Sequence, residues 1–225
     1  ISHTVFVEGT FAADRRRGIE ICEGIIRKGL HKKIKWFCET RVDRVDEEFL
    51  SKIKEAGCEE VDFGVESGDE EILRKSKKGI TIPQVKKAVR LAKRVGLKIG
   101  CYFIIGHPHE TKESIKKTYK LARELNPDIL SVGIMIPYPG TEIRRMAKKG
   151  EGNYRLVSSD WKEYTKQRGG PLEMKNLSIN EIRKIQSRGY MKYYLRPSKI
   201  LFILKNFPLK KITKIMKSLL KESLF

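Results

Sequence analysis

Hydrophobic and polar positions along the chain fall into two alternating kinds of segment. Short runs rich in β-branched and aromatic residues occur at 4–7, 34–38, 60–65, 98–105 and 129–136. Between them lie longer stretches with apolar residues three and four apart, the spacing of an amphipathic helix. The segment 13–28 stops before Gly29, 47–56 before Gly57, and 83–95 opens on Pro83 and stops before Gly96, as first-turn proline and C-terminal glycine require. The segment 112–125 runs into Asn126 and Pro127, which end a helix, and a further helix is predicted from about Ser67–Asp69 toward Lys77. Strand starts about 26 to 38 residues apart with helices between them predict βα units and a parallel sheet. The near-continuous apolar character of the strands suggests cover on both faces. Five such units do not complete an eight-stranded barrel, which takes roughly 250 residues. An open or partial barrel is favoured over a doubly wound sheet, and both place a ligand at the carboxyl ends of the strands.

From Gly140 the alternation stops. Residues 141–149 read as a helix and 150–170 as a polar loop containing Asp160 and Trp161. Residues 178–194 read as a helix with Ser178 as N-cap and Glu181 at the capping-box position. Pro197 and Pro208 punctuate the rest, and 200–204 is five apolar residues in a row. Ile212, Ile215, Met216, Leu219 and Leu220 form a helical stripe, with Lys210, Lys211, Lys214, Lys217 and Lys221 mostly off it. Such a helix either packs on the body with its lysines solvated, the favoured reading, or lies on an anionic membrane surface. The expected division is therefore a partial barrel over 1–150 and a basic helical extension over 151–225.

Charge sharpens this picture. The chain carries a net charge of +20, and residues 171–225 hold 13 basic against 3 acidic side chains. Half the excess thus sits in the last quarter of the sequence. A transmembrane helix is excluded by the lack of an apolar run of about 20 residues. Four cysteines stand at 22, 38, 58 and 101 with no CxxC pair, which reads as four reduced thiols in a cytoplasmic protein. The chain opens on Ile1, not Met, with no leader ahead of it, so a piece of a longer protein is expected.

Candidate chemistry sits where the strands end. Phe6-Val7-Glu8-Gly9-Thr10-Phe11 closes the first strand and Cys38-Glu39-Thr40-Arg41 the second, where Arg41 offers a fork for a carboxylate or phosphate. Asp62-Phe63-Gly64-Val65-Glu66-Ser67-Gly68 closes the third. Gly68 there precedes a helix N-terminus whose free N–H groups favour anions, although Glu66 could equally serve only as a helix cap. Phe103-Ile104-Ile105-Gly106-His107-Pro108-His109-Glu110-Thr111 closes the fourth and Ile136-Pro137-Tyr138-Pro139-Gly140-Thr141-Glu142 the fifth. The His-x-His-Glu string is weak evidence for a metal site because it lies in a turn.

Taken in order, these strings resemble the radical S-adenosylmethionine (SAM) superfamily over about residues 1–165, nearest to its cobalamin-associated branch of methylases and anaerobic cyclases. The resemblance implies a partial (βα)6 TIM-like barrel, of which five units are visible. It implies an enzyme that binds SAM and a 4Fe–4S cluster, with cobalamin as a further cofactor of that branch. The cluster cleaves SAM to methionine and a 5′-deoxyadenosyl radical, which abstracts hydrogen from an unactivated carbon. Carried over by position, Glu66 would meet the ribose or methionyl end of SAM, and Ser67 belongs to the same cofactor-binding set. Glu8 and the Gly9 backbone would face the amine, Arg41 the carboxylate, and Ile105, Gly106, Pro137 and Tyr138 the adenine. Gly9 stands where the family has a second Asp, and His109 where it has Gly. No CxxxCxxC motif is present, and the four cysteines, 16, 20 and 43 residues apart, cannot replace it. The cluster ligands are therefore expected upstream of Ile1. Expected partners are a small-molecule or lipid substrate, an electron donor of ferredoxin or flavodoxin type, and a membrane surface through the basic tail. A radical SAM enzyme acting on tRNA and a non-catalytic module without a cluster are the competing readings, and nucleic acid ranks low because no separate RNA-binding domain follows the barrel.

Overall fold

The computed structural model describes residues 3–7, 9–165 and 169–206. Glu8 and the predicted lysine-flanked stripe of 210–221 lie outside the described residues. Five strands, β1 (His3–Phe6), β2 (Lys35–Thr40), β3 (Cys58–Glu66), β4 (Lys98–Ile105) and β5 (Ile129–Ile134), form one sheet in sequence order. The pairings β1–β2, β2–β3 and β3–β4 are parallel. The helices between them are α1 (Arg15–Arg27), α2 (Glu47–Glu55), α3 (Glu70–Lys75), α4 (Ile82–Val95) and α5 (Lys112–Leu125). The chain divides into two compact units, residues 1–103 with 114–131 and residues 104–113 with 132–225.

In the first unit the helix boundaries follow the sequence signals closely. Asp14 caps α1 through the Arg17 N–H, and Asp46 caps α2 through Phe49. Thr81 and Gln84 form a full capping box ahead of Pro83 on α4, whose end is Gly96 in the left-handed region. The buried sides of β2, β3 and β4 carry Trp36 and Cys38, then Val61, Phe63 and Val65, then Ile99, Cys101 and Phe103. These meet Phe49, Leu50 and Ile53 of α2 and Val85, Ala88 and Ala92 of α4 in the core. At about 1.5–3 kcal/mol per fully buried large side chain, this layer is the main source of the unit's stability.

Cover on both faces is not what the structure shows for β2. Its residues alternate between exposed and buried, with Lys35, Phe37 and Glu39 on the open side. The apolar run misled because Phe37, an exposed residue, reads as core in a one-dimensional pattern. The same open side of β3 and β4 carries Glu60, Asp62, Gly64 and Tyr102, since Asp62 pairs with Gly100 and Gly64 with Tyr102.

The second unit contains α6 (Glu142–Lys149), β6 (Tyr154–Leu156), β7 (Leu172–Met174), α7 (Ile179–Tyr194) and α8 (Pro197–Asn206). The predicted capping box on α7 is present, with Ser178 and Glu181 exchanging bonds. The polar stretch 150–170 is not all loop: β6 pairs antiparallel with β7. Each strand has only three residues, too short for a period-2 pattern to register. Gln186 and Tyr190 of α7 hold β5 through Val132: Gln186 Nε2 donates to the Val132 carbonyl at 2.6 Å, and the Val132 N–H donates to the Tyr190 hydroxyl at 2.6 Å. Among the described residues no helix is long and apolar enough to cross a membrane.

Gly68 shows how tightly the strand ends are packed. A Cβ there would lie 2.6 Å from the Lys117 carbonyl oxygen and 2.6 Å from Thr118 Cα, both backbone atoms of α5. Gly68→Ala is expected to lower stability by about 1–3 kcal/mol, read from urea unfolding, because backbone cannot yield as a side chain does. An unchanged unfolding midpoint would contradict the close approach.

Candidate functional site

Glu66 ends β3 with φ of 68°, the left-handed region, which a non-glycine residue enters at a cost of about 1–2 kcal/mol. The register shifts between Gly64 and Glu66, so the strand bulges as it reaches its carboxyl end. Lys78 Nζ lies 2.7 Å from Glu66 Oε1, and both side chains are only 20% exposed. The pair lies over Gly64, where a Cβ would come 3.0 Å from Lys78 Nζ and 3.1 Å from Glu66 Oε1. Glycine at 64 thus leaves the space that the pair occupies.

Arg41 leaves β2 toward the same loop. Its guanidinium grips Asp43 with two bonds of 2.9 and 2.8 Å and donates to the Lys78 carbonyl at 3.0 Å. The Asp43 bonds hold the Arg41 pKa above its usual value, and the Arg41 bonds hold the Asp43 carboxyl below its own. The fork expected to be open for a ligand carboxylate is therefore engaged with Asp43, and Arg41 connects to Glu66 through residue 78.

Ser67 and Gly68 have structural partners. The buried Ser67 hydroxyl lies 3.2 Å from the Thr118 hydroxyl and accepts the Asp69 N–H at 3.2 Å, while the Gly68 N–H donates to Thr118 Oγ1 at 2.9 Å. Asp69 caps α3 through the Glu71 and Ile72 N–H groups and pairs with Lys117 at 2.7 Å. The helix start expected to attract an anion is already capped by Asp69, and Glu66 does not serve as that cap.

In the second unit Ile105 is buried at the end of β4, and its carbonyl accepts the Met135 N–H at 2.8 Å. Gly106, with φ of 87°, opens a turn pinned from two sides. Glu110 Oε2 accepts the Gly106 N–H and, at 3.1 Å, the His107 N–H. The Tyr154 hydroxyl donates to the Gly106 carbonyl at 2.6 Å. His109 takes φ of 61°, the conformation for which glycine is usual, held by its N–H on the Gly152 carbonyl at 3.1 Å. Glu110 and Tyr154 are supports that motif matching left without a role. Pro137 and Tyr138 follow β5. Tyr138 is exposed beside Tyr164, whose ring lies tilted at 4.9 Å from that of Trp161, and Arg144 donates to the Pro137 carbonyl at 3.3 Å. A groove of about 1030 Å³ in this unit is lined by Lys149, Tyr154, Arg155, Lys175 and Glu181, and by none of the assigned residues. Gly9 is exposed and open, with nothing within 4 Å of a Cβ placed there.

A second polar group, absent from the motif reading, lies on the open side of β3 and β4. The Tyr102 hydroxyl donates to Asp62 Oδ2 at 2.5 Å. The Asp62 carboxyl sits over Gly100, where a Cβ would fall 1.9 Å from Oδ1. Burial first, and then the neighbouring Asp62, push the Glu60 carboxyl up from 4.5 to about 7, and burial pushes Asp62 up as well. The buried Asp62 and half-buried Glu60 carboxyls thus each favour the protonated form more than a solvated carboxyl does.

A 4Fe–4S cluster does not fit the described residues. No group of three or more His, Cys, Asp or Glu among them could hold a metal ion. All four thiols are free and buried, and burial pushes Cys22 and Cys101 up to about 12. Cys38, hydrogen-bonded with Cys58, is raised too. Thiolates are what a cluster needs, and these sites oppose them. SAM fits better. A carboxylate at a strand end with one oxygen on a lysine, beside a second cation, matches ribose hydroxyls and an amino-acid zwitterion.

The family model of the radical SAM superfamily matches residues 1–122. An uncharacterised methyltransferase of Pyrococcus horikoshii is 36% identical over 197 residues, covering 88% of this chain and 42% of its own length. The anaerobic magnesium-protoporphyrin IX monomethyl ester cyclase of Cereibacter sphaeroides is 33% identical over 132 residues, 58% of this chain and 22% of its own. A radical SAM methyltransferase of Kitasatospora setae, solved with cobalamin and a [4Fe–4S] cluster, shares the fold at a TM-score of 0.61 and 19% identity, over 71% of this chain and 34% of that one. The chain belongs to the radical SAM superfamily, an α/β family of partial TIM-like barrels that use SAM and a 4Fe–4S cluster. It spans less than half the length of these relatives, which are enzymes.

The carboxyl group on β3 gives a pH test. Because the folded pKa of Glu60 is raised above its ordinary value, its contribution is complete below about pH 4.5 and is lost as pH rises through about 7. The melting temperature should fall between about pH 4.5 and 7, and Glu60→Gln should flatten that fall. A wild-type profile already flat over this range would contradict the raised pKa of Glu60.

Proposed function

We propose that this chain forms the SAM-binding portion of a radical SAM enzyme acting on an apolar substrate of tetrapyrrole or lipid type. The observation that carries the SAM reading is the Glu66 carboxylate, presented at the end of β3 with Lys78 on Oε1, inside the segment that matches the family. Glu66 accepts hydrogen bonds from the ribose hydroxyls. Arg41, neutralised by Asp43, braces the loop through the Lys78 carbonyl, and only the family resemblance assigns it to the methionyl carboxylate. The Gly106 turn, kept rigid by Glu110 and Tyr154, offers backbone to the adenine edge, with Ile105, Pro137 and Tyr138 bordering it. Ser67 orders the start of α3, and Gly9 with Glu8 faces the amine. Bound SAM supplies the reactive carbon, while the residues of this chain hold and orient its polar ends.

The substrate class rests on relatives: one is named for a porphyrin ester and another is named a hopanoid methylase. Methyl transfer and cyclisation are both compatible with it. An electron-donor protein of ferredoxin or flavodoxin type belongs to the same proposal, as does cobalamin, which is supported by fold likeness alone. Four free thiols suit a reducing compartment such as the cytoplasm. Relatives also include tRNA-modifying enzymes, and the net charge of +20 favours polyanions, so substrate trials should include tRNA.

Two measurements test the proposal. Equilibrium dialysis of the full-length gene product against S-adenosylhomocysteine should show Glu66→Gln binding about tenfold more weakly, the loss typical of one charge-assisted hydrogen bond. Equal binding would remove Glu66 from the site. Anaerobic reconstitution of these 225 residues alone should leave them essentially free of iron, and about four irons per chain would show that the buried cysteines form a cluster after all.

A further inference from the structure

We propose that Tyr102 and Glu39, on the open side of the sheet, form a subsite for a cationic N–H donor, the amine of an otherwise apolar ligand. The inference deepens the proposed function: it rests on that reading for calling the ligand the substrate, and on the sheet for its chemistry. The β2–β3 register sets Glu39 beside Asp62, and the β3–β4 register sets Asp62 beside Gly100 and Gly64 beside Tyr102. Side chains two residues apart on a strand share a side, so Glu39, Asp62 and Tyr102 occupy one patch. Asp62 is buried over Gly100, and a ligand meets the half-buried Tyr102 and the exposed Glu39.

Tyr102 presents an acceptor. A phenol carries one proton, and Tyr102 donates it to Asp62 Oδ2 at 2.5 Å. Burial first, then Asp62 and the charges of Glu39 and Glu60, raise the Tyr102 pKa, so the proton stays in place. With that proton committed, the hydroxyl offers a ligand only its lone pairs. Asp62 Oδ1, buried on the same side, has no hydrogen bond, and an unspent acceptor adds to the pull on a donor. No cation of the sheet answers Glu39. Lys98 stands opposite Glu60, and Lys35 is four residues from Glu39, about 13 Å along a strand. Lys78 is taken by Glu66 and Arg41 by Asp43. Glu39 forms no ion pair among the described residues, although the chain carries a net charge of +20.

Toward the start of the strands the same side turns apolar. Val5 pairs with Phe37, and the two are 39% and 38% exposed. An acidic patch with an acceptor-only hydroxyl, beside an apolar shelf, fits an amphipathic amine. The ammonium group sits on Glu39 and Tyr102, and the carbon skeleton lies on Phe37 and Val5. A ligand carboxylate would meet Glu39 as a like charge, and a ketone would find no donor.

The test is isothermal titration calorimetry of the full-length gene product at neutral pH with octylammonium, octanol and octanoate, in wild type, Tyr102→Phe and Glu39→Gln. S-adenosylhomocysteine is titrated into each protein as well. Octylammonium should bind, octanol about tenfold more weakly, and octanoate without measurable heat. Each substitution should weaken octylammonium about tenfold, the loss of one charge-assisted hydrogen bond. S-adenosylhomocysteine should bind all three proteins alike. No binding of octylammonium, equal binding of octanoate, or wild-type affinity in either variant overturns the inference. Weaker S-adenosylhomocysteine binding in a folded variant also overturns it, because these residues would then serve SAM. If Tyr102→Phe fails to fold by circular dichroism, Glu39→Gln decides alone. A wild type that binds octylammonium but not S-adenosylhomocysteine keeps the subsite and removes the SAM reading instead.

Discussion

The parallel pairing of β1 to β4 constrains everything else in the first unit. Parallel strands cannot be joined by tight turns, so each must be followed by a helix that returns the chain to the other end of the sheet. Those helices bury one face of the strands under Phe49, Leu50, Val85 and Ala92, and the opposite face stays free for polar groups. All strand carboxyl ends then lie on one edge, and the residues emerging there are placed by the core behind them. Arg41 and Glu66 come from different strands and meet the same loop for this reason, not because of any local sequence signal.

Much of this was legible in the sequence. The bounds of β4 and α5 were read correctly from periodicity, because both are long, strongly patterned and punctuated by Gly96 and Asn126-Pro127. Ser178 caps its helix as read from the sequence, and Asp14, Asp46 and Thr81, which the periodicity did not single out, cap theirs. Pattern reading failed where an element was short, as in the β6–β7 pair, or where an apolar residue faced the open side, as Phe37 does. The order of strand-end motifs carried the family assignment, which no single motif could have done.

The candidate site was legible only in part. Glu66 was identified because it lies in a motif at a strand end. Lys78 was not, because it sits twelve residues on in the run Arg74-Lys75-Ser76-Lys77-Lys78, which reads as a solvated basic stretch. What singles it out is three-dimensional: a Schellman motif, a clamp from Arg41 and a glycine beneath it. The same holds for Glu60, Asp62 and Tyr102, whose contact depends on the β3–β4 register, and for Tyr154, which reaches Gly106 from 48 residues away. The one retrospective signal is glycine itself. Gly64, Gly68 and Gly100 each stand where a Cβ would strike a functional carboxyl, its ion pair or a neighbouring backbone.

The central claim is that the strand-end residues hold SAM for radical chemistry. Its most direct test is to reconstitute the full-length gene product anaerobically, reduce it with dithionite and assay SAM turnover by chromatography. The account predicts formation of 5′-deoxyadenosine and methionine even without substrate. Reduced, iron-loaded protein that leaves SAM intact would contradict it.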